Sequence, residues 1–450
     1  MKSLLKSKNL LIFLGLVAIT AFNSCKKECK DGCPTGTSCV DGICVDDPVS
    51  GENEVQVSGF ITSNTTWTAD KCYILDGRVV VRSGATLTIE PGTLVKGANG
   101  SGTSASVLII ERGGKIDAQG TASEPIIFTS VDDNIEIGEL AGTNLTEIDN
   151  SLWGGIIILG NAKVSTADGN TQGQIEGIPS NETYGVYGGS DDADNSGIMT
   201  YVSIRHGGIT IGDGNEINGL TLGGVGNGTT LENIEVVANL DDGIEFFGGS
   251  VNMTNAIVVY QGDDGIDIDQ NYSGTVDNVM VITGDGIGTD EALEIDGPEG
   301  STYTSGKFTI TNGTFINEGT QGSGGDLKSK AQGNITLCSW QGGWTKYVKV
   351  RASFSDTTAC TAKSDSYLYM TQTSPDLTIF NSEIVSSSAA LTDMANAYNG
   401  SGGTCIGTAE QADLDNAISN SSNTVAGSAS KGADKTKFNS WTWASIKGKL

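Results

Sequence analysis

Nine acidic residues recur in step along the middle of this chain. The segments Asp241-Asp242-Gly243-Ile244-Glu245, Asp263-Asp264-Gly265-Ile266-Asp267 and Asp290-Glu291-Ala292-Leu293-Glu294 share one order: acid, acid, small, aliphatic, acid. Aligned, they give three columns: Asp241, Asp263 and Asp290; Asp242, Asp264 and Glu291; Glu245, Asp267 and Glu294, with Lys328 on the next repeat. Glu245 alternates with Ile244 and Phe246, the two-residue period of a strand, so the acids are expected outside and the aliphatics inside. Strands stacked about 4.8 Å apart would set like charges to repel by about 0.9 kcal/mol in water and roughly 3.5 kcal/mol at an effective dielectric of 20. Such columns call for cations between them or raised pKa values. Oxygen-only clusters suit Ca²⁺; paired carboxylates also serve as general acid and base; Asp-Gly pairs also simply make turns. All three readings stand at this point.

A second acidic element is Asp192-Ala193-Asp194-Asn195-Ser196-Gly197, inside a long insertion from Ser165 to Ile198. It matches positions 1, 3, 5 and 6 of a calcium loop, but Ser203 stands where an EF-hand places glutamate. The one histidine, His206 in Arg205-His206-Gly207-Gly208, excludes a multi-histidine zinc site and reads better as a turn residue than as a catalyst. A calcium-assisted lyase also needs a base. Arg205 and Lys328 are the basic residues the pattern places near the acids, which makes Asp263, Asp264, Asp267 and Arg205 the catalytic candidates. Asp263-Asp264-Gly265 resembles the paired-aspartate motif of polygalacturonase-type glycosidases, yet the Gly-His-Gly element that follows it there is missing, and His206 comes before it here.

The elements that position these residues are short. From Val55 to about Ser388, β-type runs alternate with Gly, Asn and Asp, and helical periodicity is absent. Asn233-Ile-Glu-Val-Val237, Asn255-Ala-Ile-Val-Val259, Asn278-Val-Met-Val-Ile282 and Asn312-Gly-Thr-Phe-Ile316 repeat, the first pair 22 residues apart. That period is one coil of a parallel β-helix, in which stacked coils bury a continuous core. Crossovers favour a right-handed one. Asn233, Asn255, Asn278, Asn312 and Asn334 are expected to stack as an amide ladder. Val55–Trp67 is expected to open an N-terminal cap. Residues 389–450, with a helical Gln411–Ile418 and Trp441 and Trp443 near the end, are expected to form the C-terminal cap.

Both ends of the sequence carry other signals. Lys2, Lys6 and Lys8 precede an apolar run of 11 residues, Leu10–Thr20, too short to span a bilayer, and then Ala21-Phe22-Asn23-Ser24-Cys25. This is a lipoprotein-type signal over residues 1–24 with Cys25 as the acylated residue, which predicts an exported, lipid-anchored chain at the outer membrane or cell surface. Residues 25–54 read as a tether in which Cys29, Cys33, Cys39 and Cys44 form two disulfides of open connectivity, like a fragment of an EGF-like module. The pairing of Cys72, Cys338, Cys360 and Cys405 also stays open. Glycine is 63 of 450 residues, and the net charge of −28 excludes nucleic acid as a partner. Nothing after the signal is apolar enough for a helical transporter.

Gly84-Ala-Thr-Leu-Thr-Ile-Glu-Pro-Gly-Thr93, Gly114-Lys-Ile-Asp-Ala-Gln-Gly-Thr121, Trp153-Gly-Gly-Ile-Ile-Ile-Leu-Gly160 and Asn215-Glu-Ile-Asn-Gly-Leu-Thr-Leu-Gly-Gly224 resemble exported right-handed β-helix lipoproteins of Bacteroidetes type, from about residue 55 onward. The resemblance implies fold and location and assigns no functional residues. The expected function is a non-catalytic binding or adhesion module for a glycan or surface partner, with Ca²⁺ as a bridge. A polysaccharide lyase or glycosidase using the acidic stack, and a structural spacer or assembly subunit, are the alternatives.

Overall fold

The computed structural model describes residues 37–40, 43–46, 53–211, 217–400 and 404–450. They fall into two units, divided between Glu52 and Asn53. In the first, Thr37–Val40 pairs antiparallel with Ile43–Asp46, and the register sets Cys39 opposite Cys44. Cys25, Cys29 and Cys33 lie outside the described residues.

The second unit is a parallel β-helix with three sheets per coil. One coil shows the plan. Strand Asn252–Val259 bends at Asn255, so Met253 lies in one sheet and Val258 in the next, and strand Ile266–Asp269 forms the third. Each strand pairs in parallel with its counterparts one coil before and one coil after. Like residues therefore stack: Val236, Val258 and Val281 in one column, Ile244, Ile266 and Leu293 in another, all fully buried or nearly so. Each such side chain contributes about 1.5–3 kcal/mol, and the column continues only if the next coil supplies an equivalent residue.

The bend carries the predicted amide ladder. Asn233, Asn255, Asn278 and Asn312 all have φ between 54° and 57°, a left-handed conformation in which asparagine is favoured over other side chains. Asn255 Nδ2 donates to Asn233 Oδ1 at 3.1 Å, and Asn278 Nδ2 donates to Asn255 Oδ1 at 2.7 Å. Asn312 departs and donates to Asp277 Oδ1 at 2.7 Å. Asn334 is not in the ladder, because it lies within strand Gly333–Thr336 opposite Thr309, and Leu337 takes the bend with φ 55°. Asn255→Ala should cost about 3 kcal/mol, from two lost amide bonds and a left-handed alanine, and Asn255→Gly should recover the backbone part. Thermal melts of the two variants decide this; equal stability of Asn255→Ala and wild type would show that the ladder adds nothing.

Both ends differ in part from expectation, although a helix does span Gln411–Ile418. Glu54–Ile61 and Thr65–Trp67 are not a cap; they pair into the sheets as the first coil. At the other end coil pairing persists to Thr424–Ala426. Helices α1 (Ser366–Thr371) and α2 (Thr408–Ser419) close the core there with Tyr367, Met370, Leu414 and Ile418. Cys360 and Cys405 form a disulfide in this region, while Cys72 and Cys338 are free and buried.

Trp441 and Trp443 do not close the core end. Residues 430–450 run back along the outside of the solenoid as a strap. Ser430 N–H and Oγ donate to Glu383, Asp434 N–H donates to Asn278 Oδ1, and Trp443 N–H donates to Glu235. Phe438, Trp441 and Trp443 cover Val237, Val259 and Ile282, aliphatics on the outer face of the sheet that water would otherwise meet. Helix α3 (Trp443–Ile446) ends the strap.

Candidate functional site

The acidic segments occupy three consecutive coils, at the turn into the sheet formed by Ile244–Phe247, Ile266–Asp269 and Leu293–Ile295. Glu245 stands opposite Asp267, and Asp267 opposite Glu294, as the repeat predicts. The column then continues through Asp326 to Lys349. Lys328 is not in it. Ile295 pairs with Leu327, which sets Lys328 one place past the pair, beside Asp296. The sequence alignment was two residues out, a slip that keeps the inside–outside alternation intact and so leaves no trace in the pattern.

The acids do point away from the solenoid core, but they do not form a solvated flat face. Asp242, Glu245, Asp264 and Glu291 are buried, Asp267 and Glu294 half-buried, and Asp263 and Asp290 exposed. A wall covers one side. Tyr187 of the 165–198 insertion packs on Phe247, and its hydroxyl bonds Gln270 Oε1 at 3.0 Å. Gly300 N–H donates to Thr166 O at 3.0 Å, and Ser301 Oγ lies 3.1 Å from Ser165 Oγ, so a second loop joins that wall. Asn218 Nδ2 donates to Glu245 and reaches Glu176 at 3.4 Å.

Turn and charge roles are divided between the columns. Asp264 N–H donates to Asp242 Oδ1 at 2.9 Å, and Glu291 N–H to Asp264 Oδ1 at 2.7 Å, so the middle column stitches one turn to the next. Carboxylate oxygens nonetheless converge within 4.8 Å in three groups: Asp241, Asp242 and Asp263; Asp242, Glu245 and Asp267; Asp264, Glu291 and Glu294. Removal from water and then mutual repulsion push Asp242, Glu245, Asp264 and Asp267 well above the usual carboxylate range. Burial, with the charge of Asp296, pushes Asp269 up to about 8.

Cations of the chain relieve only part of this. Lys328 Nζ pairs with Glu294 and lies 3.7 Å from Asp296, and Lys349 Nζ pairs with Glu291 and lies 3.2 Å from Asp326. Lys349 was missed from the sequence because only the strand register places it in the acid column. Among the described residues no lysine or arginine pairs with Asp242, Glu245 or Asp267. Asp267 Oδ1 is sealed from solvent without a hydrogen-bond donor, and so is the Oδ1 of the buried Asn218. An oxygen-lined site with orphaned oxygens fits a hard cation such as Ca²⁺.

The other candidates separate from the shelf. Arg205 is wholly buried in the neighbouring sheet; Nε donates to Ser203 Oγ at 2.7 Å, Nη1 to Leu140 O at 2.8 Å, and Glu235 lies 3.9 Å away. It is a structural ion under the strap, not a base for a substrate. His206, also buried, has φ 62° and donates Nδ1–H to Asp149 O at 2.6 Å; burial lowers its pKa and keeps it neutral, so it is a turn residue. Asp192 pairs with Lys163, and neither Asp192 nor Asp194 belongs to a converging carboxylate group among the described residues. An ammonium already supplies what calcium would supply there.

A walled, acid-lined sheet on a parallel β-helix defines a class of solenoid rather than a single chemistry. Residues 59–444 match the family described as pectate-lyase like beta helix domain, and the chain belongs to it. No match was found among curated proteins or among solved structures.

Proposed function

We propose that this chain is an envelope-anchored, non-catalytic binding module whose acid shelf takes Ca²⁺ and, through it, an extended glycan or surface partner. The supporting observation is the group Asp242, Glu245 and Asp267, whose oxygens converge without a counter-cation while Asp267 Oδ1 lacks any donor. The long sheet offers a repeating row of outward side chains, which suits a linear ligand. Anchoring rests on the signal-like residues 1–24 and Cys25; among the described residues no helix is long and apolar enough to cross a membrane.

Asp267→Asn separates this reading from a turn role. The variant removes an unpaired charge, so in chelator it should melt higher than wild type. It should also lose the rise in melting temperature that Ca²⁺ gives wild type, because a hard cation prefers a charged ligand. Melting with and without Ca²⁺, and calorimetric titration, read both effects. An undiminished calcium response in Asp267→Asn overturns the proposal.

The wall beside the shelf favours a second reading, a polysaccharide lyase or glycosidase, since a groove holds a substrate where a flat face does not. Lys349 and Lys328 stand in ion pairs and Arg205 is buried, so in this reading the base would be a carboxylate of the shelf rather than any of these three side chains. Release of unsaturated or reducing ends from anionic polysaccharides would establish it.

A further inference from the structure

We propose that Lys328 and Lys349 are the shelf's built-in cations and that they set its divalent-ion stoichiometry at one. The inference rests on the cation-shelf reading and deepens it. Three carboxylate groups line the same face, and each poses the same problem of like charges a coil apart. At the C-terminal end the chain solves it internally. Two ammonium groups fold back along the solenoid and take Glu291, Asp326, Glu294 and Asp296. The group Asp264, Glu291 and Glu294 therefore has an ammonium on two of its three members.

At the other end the acid column continues beyond the reach of either lysine. Asp242, Glu245 and Asp267 meet no ammonium; sealed, donorless Oδ1 atoms occur at both ends, but those of Asp296 and Asp326 belong to carboxylates whose Oδ2 faces a lysine, whereas those of Asp267 and Asn218 have no cation beside them. The group Asp241, Asp242 and Asp263 shares Asp242 with it, so the two groups compete for that one carboxylate, whose Oδ1 also accepts from the Asp264 N–H. One divalent ion completes the pattern that two lysines begin.

The test is a calcium titration of the full chain by calorimetry, with wild type, Lys349→Met and Lys328→Met/Lys349→Met compared. Wild type should bind one ion and the double variant two, the second on Asp264, Glu291 and Glu294. Lys349→Arg, which keeps the charge, should bind one. A double variant that folds only with calcium supports the proposal equally; if it does not fold at all, the single Lys349→Met variant gives the reading, two ions for and one against. Two ions in wild type, or one in every variant, overturns the proposal and leaves the shelf as a cation site. No binding in wild type defeats the shelf reading itself.

Discussion

Glu235→Ala is expected to cost the fold about 3–5 kcal/mol, the usual penalty for removing one partner of a buried charge pair. Glu235 and Arg205 are both wholly buried. The Glu235 carboxylate accepts from Ser203 Oγ at 2.6 Å, from Trp443 N–H at 2.8 Å and from Ala444 N–H at 2.9 Å, while Arg205 reaches it through Ser203. Alanine leaves a buried guanidinium without its counter-charge and two backbone donors without acceptors. It also frees the end of the strap, so Trp441 and Trp443 should become accessible to a fluorescence quencher at temperatures where the coils remain folded. Denaturant melts read the energy and quenching reads the strap. A loss below about 1 kcal/mol with unchanged quenching would show that the tryptophans alone hold the strap.

The second large effect has an unusual sign. In chelator the protein should melt at a higher temperature at pH 5 than at pH 8. Most proteins lose stability on acidification, because their native carboxylates have depressed pKa values. Here five carboxyls on and beside the shelf, Asp242, Glu245, Asp264, Asp267 and Asp269, are raised. A group whose folded pKa lies above its unfolded value stabilises fully below the unfolded value, and that contribution is lost as pH rises through the folded value. For Asp269 the window runs from about 4, its unfolded value, to about 8. Asp242, Glu245, Asp264 and Asp267 act in the same direction. The exposed carboxyls with lowered values, such as Asp168, Asp356 and Asp434, act oppositely but only below that window. A net charge of −28 adds general repulsion that acid relieves. Differential scanning calorimetry should show a rise of about 5 °C or more from pH 8 to pH 5 in chelator, and a flatter profile in calcium. A fall in melting temperature over the same interval would show that the shelf carboxyls do not carry unrelieved charge.

The architecture was legible because a solenoid writes its period into the chain. Val237 and Val259 stand 22 residues apart in sequence and one coil apart in space, so the repeat and the register are the same fact. The asparagines were legible for a related reason, since few other residues favour the left-handed bend. The acid columns were found but their surroundings were not. Tyr187 and Glu176 belong to an insertion with no repeat, and nothing in its composition says that it folds over the shelf. Lys349 was invisible because loops of unequal length separate Leu293 from Asp326, and a slip of two residues preserves every inside–outside alternation. The strap was misread because tryptophans near the end of a solenoid sequence suit a lid; that they run back over the sheet depends on Glu235, far away in sequence.

That distance matters during folding. Trp443 bonds a residue 208 positions earlier. A chain emerging in order can zip its coils one onto the next as soon as each is made, with short loops and little delay. The stripe of Val237, Val259 and Ile282 is left waiting, wet and adhesive, until the strap docks. For that interval the solenoid exposes an apolar seam of the kind that promotes aggregation. A chain broken off before Trp441 lacks both indoles that cover Val237, Val259 and Ile282.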